Sequence, residues 1–151
     1  MAKLQLSIVT AERTLLAEED VDIVSAPGTL GRLGILPEHT PLLTTLEPGD
    51  LYFRRGQDEF HFACSGGFLQ VAENNVIVLA DTAERADEID ETRAEEARRR
   101  AEGLLRERDK LSQSELIRAE ISLRKAITRL KVARYRRLRP QVPLRKTKDE
   151  S

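Results

Sequence analysis

Asn75-Val-Ile-Val-Leu-Ala-Asp-Thr-Ala-Glu-Arg-Ala-Asp-Glu-Ile-Asp-Glu-Thr-Arg-Ala94 is the stretch in which the chain changes its period. Up to Ala80 it reads as one more short strand bounded by turn residues, with Glu73-Asn-Asn before it. From about Ala86 the apolar positions switch to a three-four spacing, at Ala94, Ala97, Ala101, Leu104 and Leu111, which is the stripe of an amphipathic helix. The change of period predicts an α+β chain. Residues 1–85 form an antiparallel β-sandwich or barrel, residues 86–139 a two-helix antiparallel hairpin, and residues 140–151 a basic, flexible tail.

Upstream of the change, Leu4, Leu6 and Ile8 alternate with Gln5 and Ser7, the period of two of a half-buried strand. Similar runs lie at Val21 to Ser25, Leu51 to Arg54, Glu59 to Cys64 and Phe68 to Ala72. Between them stand the turn signals Ala26-Pro-Gly, Glu47-Pro-Gly-Asp, Arg55-Gly-Gln-Asp and Ser65-Gly-Gly. Short strands with close turns and no intervening helix indicate an antiparallel sandwich or barrel.

Downstream, Leu116, Leu123 and Leu130 recur every seven residues, as do Ala119, Ala126 and Ala133. Ser112 and Glu115 have the spacing of a capping box, so Lys110-Leu-Ser-Gln-Ser-Glu ends one helix and starts the next. So short a connection folds the second helix back along the first. An alanine seam lets the axes approach but buries little area, which makes the hairpin marginal without a further surface to lean on.

Charge divides at the same place. Residues 1–82 hold 5 basic and 12 acidic side chains, and residues 83–151 hold 20 and 14, so a formal net charge of -1 conceals an acidic half and a basic half. Residues 118–148 contain 12 basic residues and one acid, Glu120. An excess so one-sided points to an acidic partner surface.

Several functions are excluded or weakened. No apolar run is long enough to span a bilayer, and the opening Met1 to Thr10 is too short and too alternating for a signal peptide, so the chain is expected to be soluble and not secreted. One cysteine, Cys64, excludes an internal disulfide, and its alternating surroundings read as a small buried apolar position. With only His39 and His61 besides, no metal-ligand spacing exists and no nucleophile and base pair suggests an enzyme. The glycines at 28, 31 and 34 lack the Lys-Ser/Thr ending of a phosphate loop and no helix follows them. That segment reads instead as tight turns presenting Ile35, Leu36, Leu42 and Leu43, a plausible protein docking loop, with His39 structural. A nucleic-acid-binding module using the basic second helix is the alternative reading. It predicts salt-steep binding to generic duplex, and the acidic first half opposes it.

Four blocks resemble the epsilon chain of the bacterial rotary proton-translocating ATP synthase, equivalent to the mitochondrial delta chain. They are Gly31-Arg-Leu-Gly-Ile-Leu-Pro-Glu-His-Thr-Pro-Leu42, Ser65-Gly-Gly-Phe68, Val76-Ile-Val-Leu-Ala-Asp-Thr-Ala-Glu84 and Ile89-Asp-Glu-Thr-Arg-Ala94. Order, spacing and length agree over residues 3 to about 136.

The resemblance implies a sandwich of about ten short strands on the central stalk, beside the gamma chain and touching the ring of membrane c chains, peripheral on the cytoplasmic face of the bacterial plasma membrane. Arg32, Ile35, Leu36, Glu38, His39 and Leu42 would make the rotor contact. The hairpin would either pack down on the sandwich or extend along gamma into the hexamer of alpha and beta chains. There Arg124, Lys125, Arg129, Lys131, Arg134, Arg136 and Arg137 would meet an acidic segment of the beta chain and block ATP hydrolysis. No cofactor is required. Some family members bind ATP on the folded hairpin, and Ile89, Asp90, Arg93, Ala94, Arg100, Lys125 and Arg129 match that site. Lys125 stands where nucleotide-binding members have Arg, and it supplies charge without the two-pronged guanidinium fork.

Overall fold

The computed structural model describes residues 2–138. The expected α+β organisation is present: eight strands followed by two helices in contact. In chain order the strands are β1 (Leu4–Val9), β2 (Thr14–Val21), β3 (Ile23–Gly28), β4 (Gly31–Ile35), β5 (Leu42–Arg55), β6 (Asp58–Ala72), β7 (Asn75–Ala80) and β8 (Ala83–Arg85). The order across the sheet is β2-β1-β7-β6-β5-β3-β4, with β8 added along β6.

Eight strands replace about ten because the turn signals Glu47-Pro-Gly-Asp and Ser65-Gly-Gly lie inside β5 and β6. β5 and β6 form one long antiparallel hairpin, paired from Leu42 with Val71 to Arg55 with Asp58. The pairing skips between Leu46–Gly67 and Pro48–Ser65. This break coincides with Glu47-Pro-Gly and Ser65-Gly-Gly, so these residues bend the ladder without ending it. Gly66 and Gly67 have φ of +112° and +141°. A Cβ at Gly67 would lie 2.0 Å from the Leu79 carbonyl oxygen, a position only glycine can occupy.

Beyond the bend each long strand changes neighbours. The first half of β6 pairs with β8 and its second half with β7, while β3 joins the far half of β5. The sheet thus folds over itself and encloses a core. One pair departs from the antiparallel expectation: β1 lies between β2 and β7 and is parallel to β7, from Gln5 with Asn75 to Val9 with Leu79. Turn signals predict only partners joined by a turn, and β1 and β7 meet by closing the fold.

The core is filled from alternate positions of the strands. Phe53 stacks on Phe60 across the β5–β6 ladder with centroids 4.8 Å apart, and Phe62 lies 6.2 Å from Phe53. Leu4, Leu6, Ile8, Val76 and Val78 close it from β1 and β7. Cys64 is buried in this core, and burial pushes its thiol above the ordinary value.

α1 (Glu91–Arg106) starts at Asp90, whose carboxylate accepts from the Arg93 amide at 3.1 Å. α2 (Gln113–Leu138) starts after Ser112, whose hydroxyl accepts from the Glu115 amide at 3.2 Å, the cap expected from spacing. Glu91 to Arg99 of α1 and Ile127 to Arg134 of α2 line one groove, so the start of α1 lies beside the end of α2 and the helices run antiparallel. Ala94, Ala101, Ala119, Ala126 and Ala133 are buried, whereas Leu116, Leu123 and Leu130 are only half-buried and Leu104 is exposed. Alanine sets the approach and leucine rims it. Among the described residues no helix is long and apolar enough to cross a membrane. The tail expected at 140–151 lies outside the described residues.

Candidate functional site

The hairpin rests on the β5–β6 half of the sandwich, and this seat engages Arg124 and Arg129 of the charged residues picked out on α2. Its apolar part is small: Ala63 of β6, Ala86 and Ile89 of the turn before α1, and Val132 and Ala133 of α2. Around that patch the contacts are polar. Arg124 donates to Glu47 on β5 at 2.8 Å, and Arg129 lies 3.2 Å from the Glu84 carboxylate on β8. Part of the acidic partner expected for the basic helix is therefore the chain's own sandwich.

A second contact lies nearer the end of α2. The Tyr135 ring stacks face to face on the imidazole of His61, with centroids 3.6 Å apart and planes 7° from parallel. His61 is 3% exposed, and its Nδ1 lies 2.9 Å and 3.0 Å from the two Asp50 carboxylate oxygens while Nε2 lies 2.7 Å from Glu59. Burial alone would raise the Glu59 carboxyl, but hydrogen bonds from His61 and Arg54 outweigh it and hold the group below its ordinary value. Burial, with Asp50 and Glu59 adding to it, pushes the Tyr135 hydroxyl up.

The residues matched to nucleotide binding do not all converge. Ile89 and Ala94 are buried apolar contacts, and Asp90 is the helix cap. Lys125 and Arg129 line a cavity of about 290 Å3 with Glu84, Ser65, Thr82 and Ser122, at the lower end of ordinary ligand pockets. Arg93 and Arg100 stand exposed on α1, outside that lining. Two cations and several hydroxyls suit a phosphate group. Glu84 competes for one of the cations, because it already pairs with Arg129.

The segment expected at the rotor also divides. Ile35 is fully buried in the core, so the expectation that it presents itself for docking is corrected: it is the inward-facing end of β4. Arg32 turns toward the hairpin seat, donating to Ser25 at 2.8 Å and to the Asp50 carbonyl at 2.7 Å while lying over the Tyr52 ring. Leu36 is exposed and Leu42 half-buried. Glu38 has φ +68° and accepts from the Asn74 amide side chain at 3.0 Å, and His39 Nδ1 lies 2.7 Å from the Thr40 carbonyl oxygen. Those last contacts hold the loop in place.

Lys131 and Arg134 are exposed and line the groove beside α1. Arg136 and Arg137 belong to α2, and their side chains lie outside the described residues. Sequence reasoning missed Glu47, Glu84, Asp50, Glu59, His61 and Tyr135 as parts of one seat. Tyr135 is the single aromatic residue after Phe68, a signal that was there to be used.

Comparison with known proteins agrees over both halves. Residues 3–86 match the family model for the ATP synthase delta/epsilon chain beta-sandwich domain, and residues 87–134 match that for the delta/epsilon chain long alpha-helix domain. The ATP synthase epsilon chain of Herpetosiphon aurantiacus is 58% identical over 136 residues, spanning 90% of this chain and 98% of that one. That of Dehalococcoides mccartyi is 52% identical over 143 residues, spanning 94% and 100%. A chain in the cryo-EM structure of the Euglena gracilis mitochondrial ATP synthase, OSCP/F1/c-ring in rotational state 1, has the same fold, with a TM-score of 0.74 at 23% identity over 85% of this chain and 79% of that one. The chain belongs to the delta/epsilon family of ATP synthase subunits and is an epsilon chain, a non-catalytic member of that complex.

Proposed function

We propose that this chain is a central-stalk subunit in which the sandwich seats the rotor on the ring of c chains beside gamma, and the hairpin is a movable brake on ATP hydrolysis. The observation that carries the reading is the way the hairpin is held. Its apolar seat is five buried residues, three of them alanine, and the rest is ion pairs and one ring stack. Such a contact is worth little per residue, so modest differences in contact elsewhere can shift the hairpin between two positions.

In the docked position Arg124 and Arg129 are engaged by the sandwich. On extension these two cations are released and, with Lys125, Lys131, Arg134, Arg136 and Arg137, meet an acidic segment of the beta chain. Chain division follows the same roles: an anchoring sandwich over 1–85, a mobile hairpin over 86–139 and a basic tail over 140–151. Assembly through gamma and the c-ring places the chain at the cytoplasmic face of the bacterial plasma membrane. ATP is a regulatory ligand in this reading, held by Lys125 and Arg129 and favouring the docked hairpin.

The test is ATP hydrolysis by the whole complex, with the chain ended after Asp87 or intact. Faster hydrolysis with the shortened chain is expected, and equal rates overturn the brake. Replacing Arg124, Lys125, Arg129, Lys131 and Arg134 together by Gln should reproduce the release. Titrating the full chain with millimolar ATP should shift α2 amide resonances, and their constancy removes the ligand.

A further inference from the structure

We propose that His61, Asp50, Glu59 and Tyr135 form a proton-sensitive latch that keeps the hairpin docked while His61 is an imidazolium and loosens when the ring is neutral. It rests on the mobile-hairpin reading above and adds the signal that moves it. A neutral imidazole has one N–H, and its other nitrogen is an acceptor. Here both nitrogens face carboxylates, Nδ1 toward Asp50 at 2.9 Å and Nε2 toward Glu59 at 2.7 Å. Only the imidazolium donates on both sides. The neutral ring sets a lone pair against a carboxylate oxygen.

Tyr135 makes the hairpin sense this difference. Neutral aromatic rings avoid a direct face-to-face sandwich, because like quadrupoles meet. A cation over the same ring face is attracted, and more strongly when water is excluded. The 3.6 Å stack at 7° therefore favours the charged ring.

Every packed element contributes its charges. β5 supplies Asp50, Arg54 and Tyr52, whose ring is 4.8 Å from His61. β6 supplies Glu59, and β4 supplies Arg32, bonded to the Asp50 carbonyl. β8 places Arg85 opposite Phe62, and α2 brings exposed Lys131 and Arg134 besides Tyr135. The arginines oppose a further cation. Two carboxylates aimed directly at the ring, at hydrogen-bond distance, act over a shorter range and dominate. Tyr135 itself keeps its proton, since its surroundings push the hydroxyl up. The latch is thus complete while the ring carries both protons and weakens as rising pH removes one.

The test uses the full chain with fluorescent labels on Gln57→Cys and Gln113→Cys, both exposed, leaving buried Cys64 unlabelled. From about pH 5.5 to about pH 8.5 the docked-to-undocked ratio should fall about fivefold. His61→Gln should abolish that response. Tyr135→Leu, which leaves the sandwich intact, should lower docking at acid pH to the alkaline level and also abolish it. A ratio that is flat in the unsubstituted chain, or a response that survives both substitutions, overturns the latch. If Tyr135→Leu undocks the hairpin equally at every pH while the unsubstituted chain is flat, proton coupling fails and the movable hairpin stands. If nothing undocks it, both readings fail.

Discussion

The two hydrophobic assemblies of this molecule differ in kind. The sandwich core comprises twenty buried residues, from Leu4 to Ala80, with three phenylalanines at its centre. The hairpin seat comprises five, and its largest members are Ile89 and Val132. Apolar area removed from water sets the stabilisation, so the first assembly resists unfolding by itself and the second must be completed by charge and ring contacts. The proposed rotor anchor and releasable arm would need those two properties. The change in composition between the strands and the helices produces that contrast.

The sharpest way to break the contrast is Phe53→Ala. It should destabilise the sandwich by about 3–5 kcal/mol, read from urea unfolding, because a fully buried ring leaves a cavity against Phe60 and Phe62. A loss under about 1 kcal/mol would mean the core is not where the stability lies. Val132→Ala should weaken only the seat, by about 1–2 kcal/mol, lowering hydrogen-exchange protection in α2 while the sandwich transition stays in place. If both halves lose stability together, they are one cooperative unit and the contrast fails.

Within the arm, Asp90→Ala removes the α1 cap and should cost about 1 kcal/mol, seen as fraying of Glu91 to Ala94. Smallest is Arg124→Ala. The pair with Glu47 is half-exposed on both sides, so its loss should change docking by about 0.5 kcal/mol or less and vanish in high salt. An effect that persists in salt would give this pair a larger part in holding the hairpin than its exposure allows.

Much of the frame was legible in the sequence because local periodicity carries it. The strand at Asn75–Ala80, the capping serine at Ser112 and the alanine seam at Ala119, Ala126 and Ala133 were each readable within one or two turns of chain. The segment Gly31–Ile35 has the glycines of a turn-rich loop, yet it pairs with β3 from Val24–Ile35 to Gly28–Gly31 and buries Ile35. Glycine tolerates strand backbone as well as turns, so composition alone misjudged it. His61 could be placed in a strand, but nothing local announced that Asp50, Glu59 and Tyr135 would surround it.

The sequence by itself determined the change from strands to helices, the opposite charges and the start of α2, since each depends on residues a few positions apart; the start of α1 lies at Glu91 and not at Ala86. Only the tertiary structure decided that β1 lies parallel to β7, that the β5–β6 ladder bends at Glu47 and Gly66, and that Arg124 meets Glu47 across 77 positions and Arg129 meets Glu84 across 45. Those partners are chosen by closing the sheet and seating the hairpin on it. Closure depends on the summed burial of the whole core, and no short window of sequence contains that sum.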